Sequence, residues 1–180
     1  MLRFAAPTTL ALLLSTTAVT AEVTAEQVWD NWKEWMTAYQ GEVTVGSEAR
    51  DGDTLNIETV AMLMEIPDGQ VSAIIDSLSF TDNGDGSVSV TMAPEYTIKM
   101  NADPVDAEAV DMTMRLVQNG MTMLVTGAPD EMTYAMTADS YGVVVDEVLA
   151  EGIKQPLTLE VMMNDITGSY ETVQRDVMEV

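Results

Sequence analysis

The spacing of apolar residues in this chain changes at Gly41. Before it, in "TAEQVWDNWKEWMTAYQG" (24–41), Val28, Trp32, Trp35, Met36 and Tyr39 recur at helical intervals. Thr24 followed by Gln27 has the form of a capping box, in which each side chain bonds the other residue's backbone N–H. The spacing predicts one amphipathic helix over about residues 25–39, which contains all three tryptophans. After Gly41, from about residue 42 onward, the period becomes two. "VSVTM" (88–92), "YTIKM" (96–100), "VDMTMRL" (110–116), "MTMLV" (121–125), "MTYAMTA" (132–138) and "LTLEV" (157–161) alternate apolar residues with threonine, serine or charge. Turn sequences separate them, among them "RDGD", "PDG", "NADP" and "GAPDE", and Asn119-Gly120 suits a two-residue hairpin. The expected fold is mainly β (α+β): the helix packed on the dry face of a curved antiparallel meander of about eight to ten strands.

Two strands break phase. In "TLNIETVAMLMEI" the apolar set moves from Leu55 and Ile57 to Val60, Met62 and Met64; in "VSAIIDSLSF" it moves from Val71, Ala73 and Ile75 to Leu78 and Phe80. A bulge, or a strand crossing between two packing surfaces, accounts for both. Residues 102–109 and 145–152 are each compatible with a single helical turn. "FTDNGDGSV" (80–88) resembles a calcium loop, but aligning Gly86 with the fixed glycine of an EF-hand puts Thr81 and Met92 at the end positions that demand an aspartate and a glutamate. A hairpin tip between two alternating runs remains, with cation binding by Asp82 and Asp85 incidental.

The first 21 residues, "MLRFAAPTTLALLLSTTAVTA", join one cation to a short apolar run and to small residues at Val19 and Ala21. This is the form of a secretory signal peptide cleaved after Ala21. The run is too short to cross a hydrocarbon layer of about 30 Å, and no later segment offers a transmembrane span. The expectation is an exported periplasmic or secreted protein with one β-rich domain over residues 22–180. Thirty acids against seven bases give a net charge of -23, which repels nucleic acid and anionic headgroups. A hydrophobic fraction of 47% is enough for a real core.

Methionine is abundant, 15 in all. Met92, Met100, Met112, Met114, Met121, Met123, Met132, Met136, Met162 and Met163 fall mostly on the dry side of the alternation. Either this is a plain core rich in methionine, or it is an adaptable apolar trough suited to acyl chains. One helix cannot cover so broad a face. The candidate ligand or lid face is Trp32, Trp35 and Met36 on the helix, with Met112, Met114, Met121, Met123, Met132 and Met136 on the strands. As core rings, Trp32 and Trp35 are each expected to cost about 3–5 kcal/mol on truncation to alanine.

The order of export signal, "TAEQVWDNWKEWMTAYQG", "ARDGDTL", "FTDNGDGSVSVTM", "GMTMLVTGAPDEMTYAMTADSYGVVVDEV" and "NDITGSYE" resembles the N-terminal part of an alphaproteobacterial family of exported proteins, domain of unknown function 2125. The resemblance extends over most of the chain after the signal and rests on structural motifs. It implies an exported, β-rich protein without an assigned biochemical role. Because members of that family are longer, it also implies a short member or part of a longer one.

The chain has no histidine and no cysteine, which leaves no imidazole base, no thiolate nucleophile and none of the common zinc or copper ligand sets. No nucleophile elbow or phosphate-cradling glycine loop occurs, and no cofactor is indicated. Three readings follow. The first is a non-enzymatic binding or scaffold protein whose apolar face holds a lipid or other apolar small molecule. The second is an assembly module that recruits an envelope protein through exposed strand edges. The third is a carboxylate-based hydrolase.

Overall fold

The computed structural model describes residues 22–38 and 41–173. The signal-peptide segment, Tyr39 and the last seven residues lie outside them. The described chain is mainly β, with one helix on an antiparallel sheet of about ten strands. Helix α1 (Ala25–Ala38) is followed by β1 (Gly41–Asp51), β2 (Thr54–Ile66), β3 (Gly69–Asp82), β4 (Val88–Met92) and β5 (Glu95–Ala102). Then come β6 (Val110–Asn119), β7 (Thr122–Ala128), β8 (Glu131–Ala150), β9 (Ile153–Lys154) and β10 (Leu159–Val173).

The pairing registers reduce these ten strands to seven long ones. β2 occupies one edge of β3 from Gly69 to Thr81, so β4 and β5 must share the other edge. Leu78 faces Met92 and Ile74 faces Thr97, a register that slips by only one residue between β4 and β5. β4 and β5 are therefore one strand interrupted at Ala93-Pro94. In the same way Asn119 faces Ser140 and Thr122 faces Thr137, an unbroken register that makes β6 and β7 one strand along β8. The expected hairpin at Asn119-Gly120 does not form. Gly120, at φ +63°, bends a continuing strand where a Cβ would stand 2.8 Å from Asp139 Oδ2. β9 leads into β10 along the same edge of β8. The result is an up-and-down meander, with β1 and β10 as the edges among the described strands. Residues 145–150 continue β8 rather than forming a helical turn, because Val145 and Val148 still face Met114 and Met112 of β6. Between 102 and 109 the chain makes a single turn, closed by Ala107 N–H on Pro104 O.

The helix begins as its sequence predicts. Thr24 N–H donates to Gln27 Oε1 at 2.9 Å, and Gln27 N–H donates to Thr24 Oγ1 at 3.4 Å. The "FTDNGDGSV" loop is the β3–β4 hairpin tip, and it also holds the start of the helix. Asp82 Oδ1 accepts Ala25 N–H at 2.8 Å, and Val23 N–H reaches Gly86 O at 3.2 Å. Arg50 of β1 clamps the corner by bonding both Glu26 and Asp82.

The helix face that packs differs from the predicted one. Ala25, Val28 and Trp29 are buried, with Trp32 and Met36 packed partly against the same core. Trp29 is 1% exposed, tilted on Phe80 at 5.7 Å, and its Nε1–H donates to Glu48 at 3.0 Å. Trp35, expected in the core, is 63% exposed. It lies about 120° around the helix from Trp29, so a face centred on Val28 and Trp29 turns it outward.

Asn31, on the opposite flank from Glu48, accepts a 2.9 Å bond from Tyr134 Oη of β8. β1 and β8 are five strand spacings apart, about 24 Å in a flat sheet, whereas a helix with its side chains is about 10–12 Å wide. Trp29 and Asn31 of one helix reach both strands only because the sheet curls around it.

Candidate functional site

The phase breaks seen in β2 and β3 belong to a crease that crosses the whole sheet. Ladder pairing is interrupted at Gly46 in β1, Thr59 in β2, Asp76 in β3, Ala93-Pro94, Gly120-Met121, Asp139 in β8 and Asp165 in β10. Thr59 and Asp165 adopt positive φ there, 58° and 53°. Gln118 ties the middle of the crease: its Nε2 donates to Met92 O and Ala93 O, both at 3.1 Å, while its Oε1 accepts Met121 N–H at 3.0 Å.

The crease divides the inner face in two. On one side α1 seals a core of Leu55, Ile57, Leu78, Phe80, Val88, Val90, Met123, Val125, Met132 and Tyr134. Tyr170 of β10 closes its far end by stacking on Tyr134, with ring centroids 4.7 Å apart and planes at 4°. On the other side directly paired residues, which share a face, form apolar rows across the sheet. One runs Val43, Met62, Ala73, Ile98, Met114, Val145 and Leu159. The next runs from Met64 through Val71 and Met100 to Met112. Val60 and Ile75, just across the crease, still belong to the core under α1, and the last turn of the helix lies over the apolar rows next to them. Beneath that turn lies a cavity of about 410 Å³, within the size range of small-molecule sites, lined by Trp35, Met36, Gly41, Val43, Met62, Leu63, Met64, Val71 and Ala73.

No family model, curated protein or solved structure matches the chain. The reading of the site therefore rests on its own geometry.

The residues expected at an apolar site separate into two groups. Trp35 and Met36 line the cavity, and Met112 and Met114 continue its rows on β6. Met123 and Met132 are buried and Met136 is half-buried in the sealed half, where Trp32 stands edge-on to Phe80 at 5.3 Å, and Met121 is buried at the crease. Those four methionines and Trp32 are core. Met162 is paired with Gly142 on the outer face, and Met163 is exposed at the β10 edge. Val43, Met62, Met64 and Val71 were not among the expected site residues. Their alternation is visible in "GEVTV" and "VAMLM". Only the extent of the helix distinguishes them from core.

The residues that line the cavity are apolar. Tyr96, partly buried against the core, has its phenol pushed far above the ordinary range by burial and then by the neighbouring Tyr141. Among the described residues no group of three acids is placed to hold a metal ion. Arg115 sits on the outer face in a fork between Asp146 and Glu95, which holds its guanidinium firmly protonated. No described helix is long and apolar enough to cross a membrane.

Proposed function

We propose that this is an exported, non-enzymatic binding protein of the periplasm that carries an apolar ligand, such as a lipid chain, in the trough beside the helix. Membership of the exported family it resembles is part of the same reading. One observation supports it above the others: the apolar rows run on across the sheet where the helix has ended, and a cavity of about 410 Å³ lined by apolar residues lies at that boundary. In these rows Met64 and Leu159 are exposed and Val71, Ile98, Met100, Met112 and Met114 are half-buried, whereas Ala73 and Val145 are buried. Methionine is the residue suited to an adaptable wall, and Met62, Met64, Met100, Met112 and Met114 supply it here. The absence of a nucleophile or base beside the cavity fits storage or transfer of a molecule rather than its conversion.

Native mass spectrometry of protein purified from its own periplasm tests the reading. The expected spectrum contains adducts of discrete mass that disappear in Ala73→Trp, which fills the cavity. A single unliganded mass, together with no uptake of a neutral dodecyl amphiphile, refutes it.

A second reading has an observation of its own. β10 is an edge 15 residues long on which Leu159, Val161, Met162 and Met163 are exposed. An assembly module that adds a strand from an envelope protein would use such an edge. Cross-linking from a photoreactive residue at position 163 in cells distinguishes this from ligand carriage.

A further inference from the structure

The two edges of the sheet are finished differently. Along β1 the large apolar residues, Val43 and Val45, are half-buried, and Arg50 is held by Glu26 and Asp82. Along the other edge five of the seven residues from Leu157 to Met163 are large, apolar and exposed: Leu157, Leu159, Val161, Met162 and Met163. Edge strands are ordinarily guarded by lysine, proline or a bulge, and from residue 158 to 164 none of these occurs. The stretch is bounded instead. Pro156 has no N–H to offer on one side, and Asp165, at φ +53°, breaks the alternation on the other. Between them about 24 Å of strand presents an outer edge that no strand among the described residues pairs with.

This stretch is complementary to itself. Leu159, Val161 and Met163 face inward, because they pair with Val145, Val143 and Tyr141 in the rows of Met114, Leu116 and Gln118, whereas Glu160, Met162 and Asn164 face outward. A two-fold axis normal to the sheet keeps inward residues opposite inward ones. Centred on Val161, such an axis sets Val161 against Val161 of a second copy, Leu159 against its Met163, Glu160 against its Met162 and Thr158 against its Asn164. Every residue from 158 to 164 then has a partner, and no acid directly faces an acid. A centre at Glu160 opposes two carboxylates. A centre at Met162 shortens the seam to residues 160–164 before Asp165 interrupts it.

We propose that β10 is a homodimer seam: two copies of this chain pair antiparallel through residues 158–164 about an axis at Val161. The inference rests on the open edge described above, names a second copy as its occupant in place of an envelope protein's strand, and does not depend on what the trough holds. The dimer continues the trough. The row ending at Val145 and Leu159 runs on into Met163 and Tyr141 of the second copy, and the row of Leu116, Val143 and Val161 crosses the axis into itself. So short a seam suits reversible association rather than a permanent dimer. The net charge of -23 on each copy opposes it, so association strengthens with salt, the reverse of docking onto a basic partner.

The chain has no cysteine, so single substitutions in the full mature protein report the register directly. Val161→Cys places two thiols across the axis within the Cα separation that a disulfide spans, about 4.4–6.8 Å. Leu159→Cys or Met163→Cys places its two copies four residues apart along the seam, about 14 Å. With diamide as oxidant, Val161→Cys is expected to cross-link at least about tenfold faster than either, and an equal mixture of Leu159→Cys and Met163→Cys to cross-link as the mixed dimer. Sedimentation velocity of the parent chain is expected to show a monomer–dimer equilibrium whose dimer fraction rises from about 10 mM to about 150 mM salt, as the screening length falls from about 30 Å to about 8 Å. Val161→Lys, at an exposed position, keeps the far-ultraviolet circular dichroism of the parent and abolishes the dimer. A monomer at every concentration and salt overturns the proposal and leaves the edge to the strand of another protein, which the cross-link at position 163 in cells reports separately. Cross-linking no faster at 161 than at 159, or a dimer unaffected by Val161→Lys, overturns it too, because the contact then lies elsewhere.

Discussion

Truncating the three tryptophans of α1 one at a time should give three different losses of stability, although they occupy one short helix. Trp29 is 1% exposed, lies on Phe80 and donates to Glu48. Trp29→Ala empties a fully enclosed site and is expected to cost about 3–5 kcal/mol. For a chain of this size that lowers Tm by about 6–20 °C. Trp29→Phe keeps most of the ring contact and gives up the indole N–H bond, at about 1 kcal/mol beyond the small loss of volume. Trp32 is only partly enclosed but has an edge-to-face contact with Phe80 at 5.3 Å, so Trp32→Ala is expected to cost about 2–3 kcal/mol. Trp35 is 63% exposed, and Trp35→Ala should fall within about 0.5 kcal/mol of the parent. Urea unfolding followed by far-ultraviolet circular dichroism, with the slope against denaturant unchanged, measures all four. Equal losses at positions 29 and 35 would mean that the helix packs in a different rotation, and the separation of core from trough would fall with it.

Four further outcomes follow from contacts described above. Gln118→Leu leaves Met92 O, Ala93 O and Met121 N–H without their partner at the crease, and should cost about 1–3 kcal/mol in urea unfolding. Gly86→Ala combines a φ of +84° with a Cβ 2.6 Å from Glu22 Cγ, whereas Gly84→Ala meets nothing within 4 Å at φ +79°; thermal melts should show the larger loss at position 86. Burial raises the Tyr134 phenol from 10.0 to about 12, so the folded state holds that proton more tightly than the unfolded chain does. The associated stability is complete below pH 10 and is lost as pH rises towards 12, and Tyr134→Phe should flatten that part of an alkaline unfolding curve. Asp146 behaves in the opposite sense. Its bond from Arg115 holds the carboxyl below its ordinary 3.8, so its contribution is present above that value and fades on further acidification, a slope that Asp146→Asn should remove.

The elements whose signals are local were legible in the sequence. The Thr24/Gln27 box sets the start of α1, and alternation alone delimits β4, "VSVTM", to the residue. Asn119-Gly120 misled because an Asn-Gly pair serves a tight turn and a left-handed bend in a continuing strand equally well; the choice is made by the register that β6 and β7 share along β8. The rotation of the helix was hidden for a similar reason. With tryptophan at 29, 32 and 35 the apolar arc is too wide to point one way, and Glu48 and Phe80, distant in sequence, select Trp29. The phase breaks in β2 and β3 were visible, but their alignment with Gly120, Asp139 and Asp165 exists only once the strands are paired. The candidate site was half legible for the same cause: Met112 and Met123 look alike in their strands, and what separates them is where α1 stops.

The crease also predicts how the molecule fluctuates. Backbone pairing is interrupted at one level in all seven long strands, and there the part under α1 and the part beyond it are held together by the bonds of Gln118 and by the packing of Val60 and Ile75 into the shared core. Such a boundary separates cooperative units of different local stability. Amides of β7 and the first half of β8, beneath the helix, should exchange with solvent hydrogen only at the rate of global unfolding. Those of β5, β6 and the second half of β8 should exchange sooner, by a smaller opening. An occupant of the trough would then enter and leave through breathing of the uncovered half, without a hinge in the helix, and its binding should slow exchange on that side of the crease alone.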